Sequence, residues 1–199
     1  MLKESIYYSK ILLFGEYGII QDSMGLSIPY DDYNGKFIFT NNESEKALKS
    51  NENLKKYLIH LENLEKNNGL PCKLDLKKLA TNIKNGIYFD SSIPQGFGVG
   101  SSGALVAGIY DNYCVNKIKI KKEQKNKELL KLKSIFGKLE AYFHGTSSGL
   151  DPLICYLNLP ILIKSKNEVD TIKIPESSDG KGAIFLLNTG NIGETQPLV

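Results

Sequence analysis

Residues 93–103 read IPQGFGVGSSG, with Gly96, Gly98 and Gly100 at alternate positions ahead of two serines. Glycines so spaced let the backbone approach a ligand in conformations closed to other residues. Ser101 and Ser102 stand where an apolar, helix-length segment begins. A helix N-terminus offers unpaired N–H groups and a partial positive charge, and so attracts phosphate. A serine hydroxyl there either caps the helix or coordinates a magnesium ion already bound to phosphate. By its pattern alone the stretch is a phosphate loop or a Gly-rich turn with a serine cap. Two other nucleotide loops do not fit. The Walker loop ends in Gly-Lys-Ser/Thr, and no lysine lies between Pro94 and Ser102. A dinucleotide fingerprint belongs to the first strand-turn-helix unit, whereas this loop comes midway along the chain.

Two carboxylates and a lysine accompany the loop. Glu140 falls four residues after Phe136 and three before Phe143, on the apolar stripe of a helix. A carboxylate buried there requires a partner, which magnesium, a lysine or His144 would each supply. Asp151 ends the polar string HGTSSGLD at 144–151. It is either an acidic residue in a helix's first turn, which spacing alone favours, or a carboxylate that orients or deprotonates a hydroxyl. Lys10 interrupts an apolar strand and either faces solvent or points into a site, where its charge would steady a developing alkoxide or a phosphate. Glu16 follows a turn at Gly15. His60 lies on a charged helix and reads as solvated, and Tyr7, Tyr8, Tyr17 and Tyr30 read as core or surface filler.

The elements that must position these groups alternate irregularly. Residues 6–14 form a strand, and 26–39 form further strands with hairpin-turn chemistry in DDYNG at 31–35. Helices are predicted over 44–67, where Leu54, Tyr57, Leu58, Leu61 and Leu64 recur at three- and four-residue steps, and over about 75–85. A strand starts at 87–89. The apolar segment 104–114 is helical, as is 127–144 with its stripe of Leu129, Leu132, Ile135, Phe136, Leu139 and Phe143. A short helix starts at Ser147 or Ser148, and strands follow at 160–164 and 183–187. Strands and helices mix without a βαβα rhythm, so the fold class is α+β.

Composition excludes other classes. With 41% hydrophobic and 24% charged residues the chain is neither disordered nor fibrous. No apolar run reaches the roughly 20 residues of a membrane span, and no signal peptide is recognisable, so a cytoplasmic protein is expected. The net charge of +3 comes from dispersed lysines; their densest run, 117–127, has no aromatic residue to stack on a base and reads as a solvated connection. Cys72, Cys114 and Cys155 fit neither a disulfide framework nor a zinc site, and buried free thiols are expected.

Taken in order, the motifs resemble the GHMP kinase superfamily, and within it the mevalonate kinases. The strand SKILLFGEY at 9–17 is similar to the family's Lys-bearing strand ending in Gly-Glu-His. PQGFGVGSSG at 94–103 resembles Pro-x-Gly-x-Gly-Leu-Gly-Ser-Ser-Ala, with Val99 for Leu and Gly103 for Ala. Glu140 precedes Asp151 by eleven residues, as in the family, and 144–151 matches His-Gly-x-x-Ser-Gly-x-Asp. The resemblance implies that Pro94, Gly96, Gly98, Gly100, Ser101 and Ser102 wrap the phosphates of ATP. It implies that Ser102 and Glu140 hold Mg2+, with Ser101 a lesser ligand. Asp151 would be the base or orienting group, Lys10 would stabilise the attacking oxygen, and Glu16, Tyr17, His144 and Ser148 would serve the acceptor. Tyr17 replaces the family's histidine and Ser9 a common glycine, so acceptor identity turns on Tyr17. The implied reaction is phosphorylation of the primary hydroxyl of mevalonate. Phosphomevalonate, a sugar, homoserine or a non-catalytic regulatory module are the alternatives. The implied fold is a ribosomal protein S5 domain 2-like N-terminal domain over 1–180. Residues 181–199, with NTGNIGET, would begin a ferredoxin-like C-terminal domain that is largely missing. The expected partners are a small-molecule substrate and, as an option, a second copy in a homodimer, with neither nucleic acid nor membrane.

Overall fold

Apolar residues at helical and strand spacing set the architecture, which a computed structural model describes for residues 5–15, 24–40, 44–120, 125–173 and 186–187. In chain order the first elements are β1 (Tyr7–Phe14), β2 (Gly25–Phe39), α1 (Glu45–Lys66), α2 (Leu76–Lys84) and β3 (Ile87–Ser91). They are followed by α3 (Ser101–Tyr113), α4 (Lys125–His144), α5 (Leu150–Leu157), β4 (Ile161–Ser165) and β5 (Glu168–Thr171). All described strand pairs are antiparallel. The α+β expectation therefore stands.

β2 is the spine of the sheet. β1 pairs along one edge of it, while β3 and β4 share the other edge, β3 beside Gly35 to Phe39 and β4 beside Gly25 to Ser27. β5 extends β4 as a hairpin. The DDYNG segment is not a hairpin turn. It lies inside one continuous strand, and the partner of β1 steps from Asn34 at Tyr8 to Tyr30 at Ser9, so Asp31, Asp32 and Tyr33 bulge out. Turn-forming residues suit a bulge as well as a turn. Here β3 and β1 grip both sides of Gly35, and that pairing carries the chain straight on. Ser9, fully buried, donates its hydroxyl to the Tyr30 carbonyl at 2.8 Å and so holds the bulge.

Helices cover one face of the sheet. α3 is its centre: Gly103, Ala104, Val106, Ala107, Gly108, Ile109, Tyr110 and Tyr113 are all buried, as expected of a helix surrounded by other elements. Its small residues permit close packing, since a methyl at Gly108 would press on the rings of Phe37 and Tyr7. α1 buries Leu54, Tyr57, Leu58 and Leu61, is capped by Ser44 through the Ala47 amide, and is tied to α4 by Tyr57 donating to the Leu139 carbonyl at 2.9 Å. α4 buries Leu129, Leu132, Ile135, Phe136 and Leu139 of the predicted stripe, and Glu140 with them, while Phe143 at its end is only half-buried. α3 begins at Ser101, so the two serines occupy its first turn as expected.

Two expectations shift. α5 starts at Leu150 with Gly149 as its N-cap, and not at Ser147 or Ser148; those hydroxyls instead accept the amides of Gly149 and Leu150. Of the strand expected at 183–187, residues 183–185 lie outside the described set, and Leu186 and Leu187 are not in a strand. The thiols are free, Cys114 and Cys155 buried but Cys72 only half-buried. No helix among the described residues is long and apolar enough to cross a membrane. The expected domain start at 181 falls outside the described residues, Leu186 and Leu187 excepted.

The turn before α5 depends on Gly149, whose φ of +73° is the left-handed region. A Cβ there would collide with the Lys133 carbonyl oxygen and the Gly137 amide. Gly149→Ala is therefore expected to cost at least about 2 kcal/mol of stability. Urea denaturation of the variant beside wild type checks this.

Candidate active site

Backbone pairing brings the first motif to the second. Lys10 in β1 donates its amide to the Val99 carbonyl at 3.0 Å, anchoring the loop to the strand. Gly96, Gly98 and Gly100 all have positive φ, and Gly100 is the N-cap of α3. At Gly100 a Cβ would lie 3.0 Å from Cγ of Lys10 and 3.5 Å from Sγ of Cys155, so the glycine lets the lysine stem lie across the loop. Pro94 is half-buried at the loop's start.

The lysine does not face solvent. Lys10 is buried, and its Nζ sits 3.1 Å from Oδ1 of Asp151, whose side chain remains about one-third exposed (35%). Asp151 is a first-turn residue of α5, as its spacing favoured, and it is also paired with the Lys10 ammonium. α5 comes this close because position 103 is glycine. A Cβ at Gly103 would meet the backbone carbon of Asp151 at 2.9 Å and its Cβ at 3.0 Å. Sequence reasoning noted Gly103 only as a departure from alanine.

Glu140 is 4% exposed, and its partners are neither a lysine nor His144. Ser102 donates to Oε1 at 2.8 Å, and Ser147 to Oε2 at 2.5 Å. His144 instead places Nε2 3.0 Å from Ser102 Oγ. Burial pushes the Glu140 carboxyl up to about 7, and the negative charge of Asp151 adds to this; the two serine hydrogen bonds and the Lys10 charge oppose it. Burial likewise drives the Cys155 thiol well above its ordinary range, which makes it inert packing beneath the loop.

The structure thus gathers Lys10, Asp151, Ser102, Glu140 and His144 around the N-terminus of α3. Ser101 is half-buried in the same first turn. Ser148 is exposed and engaged with the Leu150 amide. Glu16 and Tyr17 lie outside the described residues. Ser147 was missed as a site residue because its signal, a serine before a helix, reads equally as a cap. A cavity of about 400 Å³ opens elsewhere, lined by Tyr8, Ile28, Pro29, Asp31, Asn158 and Pro160, and holds none of the motif residues.

Among the described residues no three His, Cys, Asp or Glu side chains gather as a metal cluster. The hydroxyl and carboxylate of Ser102 and Glu140 are nevertheless hard oxygen donors. They suit magnesium, which commonly takes one or two carboxylates and completes its shell with phosphate oxygens and water. A buried carboxylate with a raised pKa also gains from a nearby cation.

That raised pKa has a consequence for stability. An unfolded Glu140 ionises near 4.5, while the folded one stays protonated until about pH 7. Below both values the group contributes nothing; between them the unfolded state is favoured, by about 3 kcal/mol once pH 7 is passed. Glu140→Gln is expected to stabilise the metal-free protein at pH 8 relative to its effect at pH 4. Urea denaturation at the two pH values checks it, and an equal effect at both would contradict it.

Residues 56–158 match the family described as GHMP kinases N terminal domain, a span that holds the Gly-rich loop, α3, Glu140 and Asp151. Curated proteins give no match. Among solved structures the chain is similar to mevalonate kinase from methicillin-resistant Staphylococcus aureus MRSA252, at 17% identity and TM-score 0.46, over 84% of this chain and 54% of that one. It is also similar to L. major mevalonate kinase in complex with R-mevalonate, at 18% identity and TM-score 0.47, over 85% of this chain and 51% of that one. The chain spans about half the length of the solved structures it matches. With the family match covering more than half of its residues, the chain belongs to the GHMP kinases through their N-terminal domain.

Proposed function

We propose that the protein carries the nucleotide-binding and catalytic half of an ATP-dependent kinase that phosphorylates the primary hydroxyl of mevalonate. One observation carries the reading: the Lys10–Asp151 ion pair stands beside the Ser102–Glu140 pair at the N-terminus of one helix. One pair serves a hydroxyl and the other a phosphate, and phosphoryl transfer requires both.

The chain's own groups would supply part of the positioning work. The amides at the start of α3 and the loop around Gly96, Gly98 and Gly100 receive the triphosphate. Ser102 and Glu140 would hold Mg2+, which neutralises phosphate charge when bound. Asp151 accepts the proton of the acceptor hydroxyl as its oxygen attacks the γ-phosphorus, and the bond from that phosphorus to the β-phosphate oxygen breaks to leave ADP. Lys10, held against Asp151, stabilises the oxygen while it is negatively charged. Low exposure of Lys10 keeps its charge effective, and a cation bound beside Glu140 would favour the ionised carboxylate that burial alone disfavours. Catalysis is then mainly orientation and charge neutralisation.

The acceptor rests on the HGTSSGLD string and on the absence of arginine from the Lys10 and Asp151 motifs, since a phosphorylated acceptor favours additional cations. Tyr17, Glu16, His144 and Ser148 are the residues assigned to it.

ADP release is measured with magnesium-ATP and mevalonate, phosphomevalonate, homoserine or galactose. Turnover on mevalonate should fall roughly 10²–10⁴-fold in Asp151→Asn with nucleotide binding retained. Turnover on another acceptor keeps the kinase and removes mevalonate, whereas ATP binding without turnover on any acceptor supports a regulatory module.

A further inference from the structure

We propose that Ser147 is a positioning residue that fixes one oxygen of Glu140, so that the other is presented together with Ser102 to a divalent cation on the nucleotide phosphates. The inference rests on the phosphoryl-transfer reading above and names a residue that the family pattern leaves open, since 147 is an unspecified position in His-Gly-x-x-Ser-Gly-x-Asp.

With Glu140 ionised, as a bound cation requires, the geometry leaves the Ser147 hydroxyl one arrangement. Its proton is committed to Glu140 Oε2 at 2.5 Å, while its lone pair accepts the Gly149 amide at 3.0 Å. A hydroxyl has a single proton to donate, and the amide contact fixes which way it points. The opposite oxygen, Oε1, receives Ser102 at 2.8 Å. Each carboxylate oxygen thus has one hydroxyl, and the two come from different segments of the chain. Without Ser147, Glu140 would keep a buried oxygen with no such donor and could rotate about its side-chain bonds.

Ser147 is itself held tightly to the helix that bears Glu140. A Cβ on Gly137 would lie 2.8 Å from the Ser147 carbonyl oxygen, and Gly149 sits against Lys133 and Gly137. The same short turn leads into Asp151. Ser147 therefore sets the carboxylate that would hold the cation relative to the carboxylate that receives the proton. A capping serine without this role would answer to loss of the hydroxyl in stability alone.

The test uses Mn2+ as the probe, titrated against the full chain with a non-hydrolysable ATP analogue and followed by electron paramagnetic resonance of free Mn2+. Thermal unfolding without metal shows that each variant is folded. Ser147→Ala should weaken Mn2+ binding about tenfold or more, in the range of other losses of an outer-shell partner. Ser147→Thr, which keeps the hydroxyl, should stay within about threefold of wild type. Should S147A not fold, Ser147→Cys, nearly the same shape but a weak donor, is expected to weaken binding likewise. Mn2+ binding in S147A or S147C equal to wild type overturns the positioning role and leaves the kinase reading standing, as does a loss in S147T as large as in S147A. Wild type that binds neither the analogue nor Mn2+ overturns both.

Discussion

Burial of one carboxylate constrains the rest of this site. Glu140 occupies the apolar stripe of α4, where a charged group without partners is costly, and the chain meets that cost with hydroxyls from two other segments. Ser102 must come from the first turn of α3, so the Gly-rich loop has to deliver that turn against α4. Ser147 must come from the turn before α5, so Gly137 and Gly149 must allow that turn to lie on α4. Meeting both demands also brings the N-termini of α3 and α5 together, and with them the donors and the carboxylate of the proposed phosphoryl-transfer centre.

Lys10 completes the arrangement from the other side. β1 reaches the loop through the amide bond from Lys10 to Val99, and the lysine head reaches Asp151 across Gly100. Close approach at Gly103 makes the last step possible, since α5 could not otherwise bring Asp151 so near to α3. The Lys10–Asp151 pair is partly screened on the exposed side of Asp151, so it contributes little to stability.

Much of this was legible in the sequence, where a residue type and its spacing had one physical meaning. The stripes of α1 and α4 dictated helices because their apolar residues recur at three and four, and Glu140 on that stripe dictated a buried carboxylate. The Gly-rich loop and the start of α3 were legible as alternate glycines before two serines. Where two structures answered to one pattern, the sequence could not choose between them. DDYNG serves a bulge as well as a hairpin turn, and only the grip of β1 and β3 on Gly35 decides. β5 has four residues and follows the polar Lys166–Asn167 turn, too short a run for alternation to register. The direction of Lys10 and the partner of Ser147 depend on contacts between segments far apart in sequence, which no local period encodes.

The most direct measurement is a crystal structure of the protein with Mg2+ and a non-hydrolysable ATP analogue. The triphosphate should lie across the Gly96–Ser102 loop at the start of α3, with the metal about 2.1 Å from an oxygen of Ser102 or Glu140 and the γ-phosphate facing Lys10 and Asp151. A nucleotide seated elsewhere, for instance in the cavity beside Tyr8 and Asn158, with the Ser102–Glu140 pair untouched, would contradict the assignment.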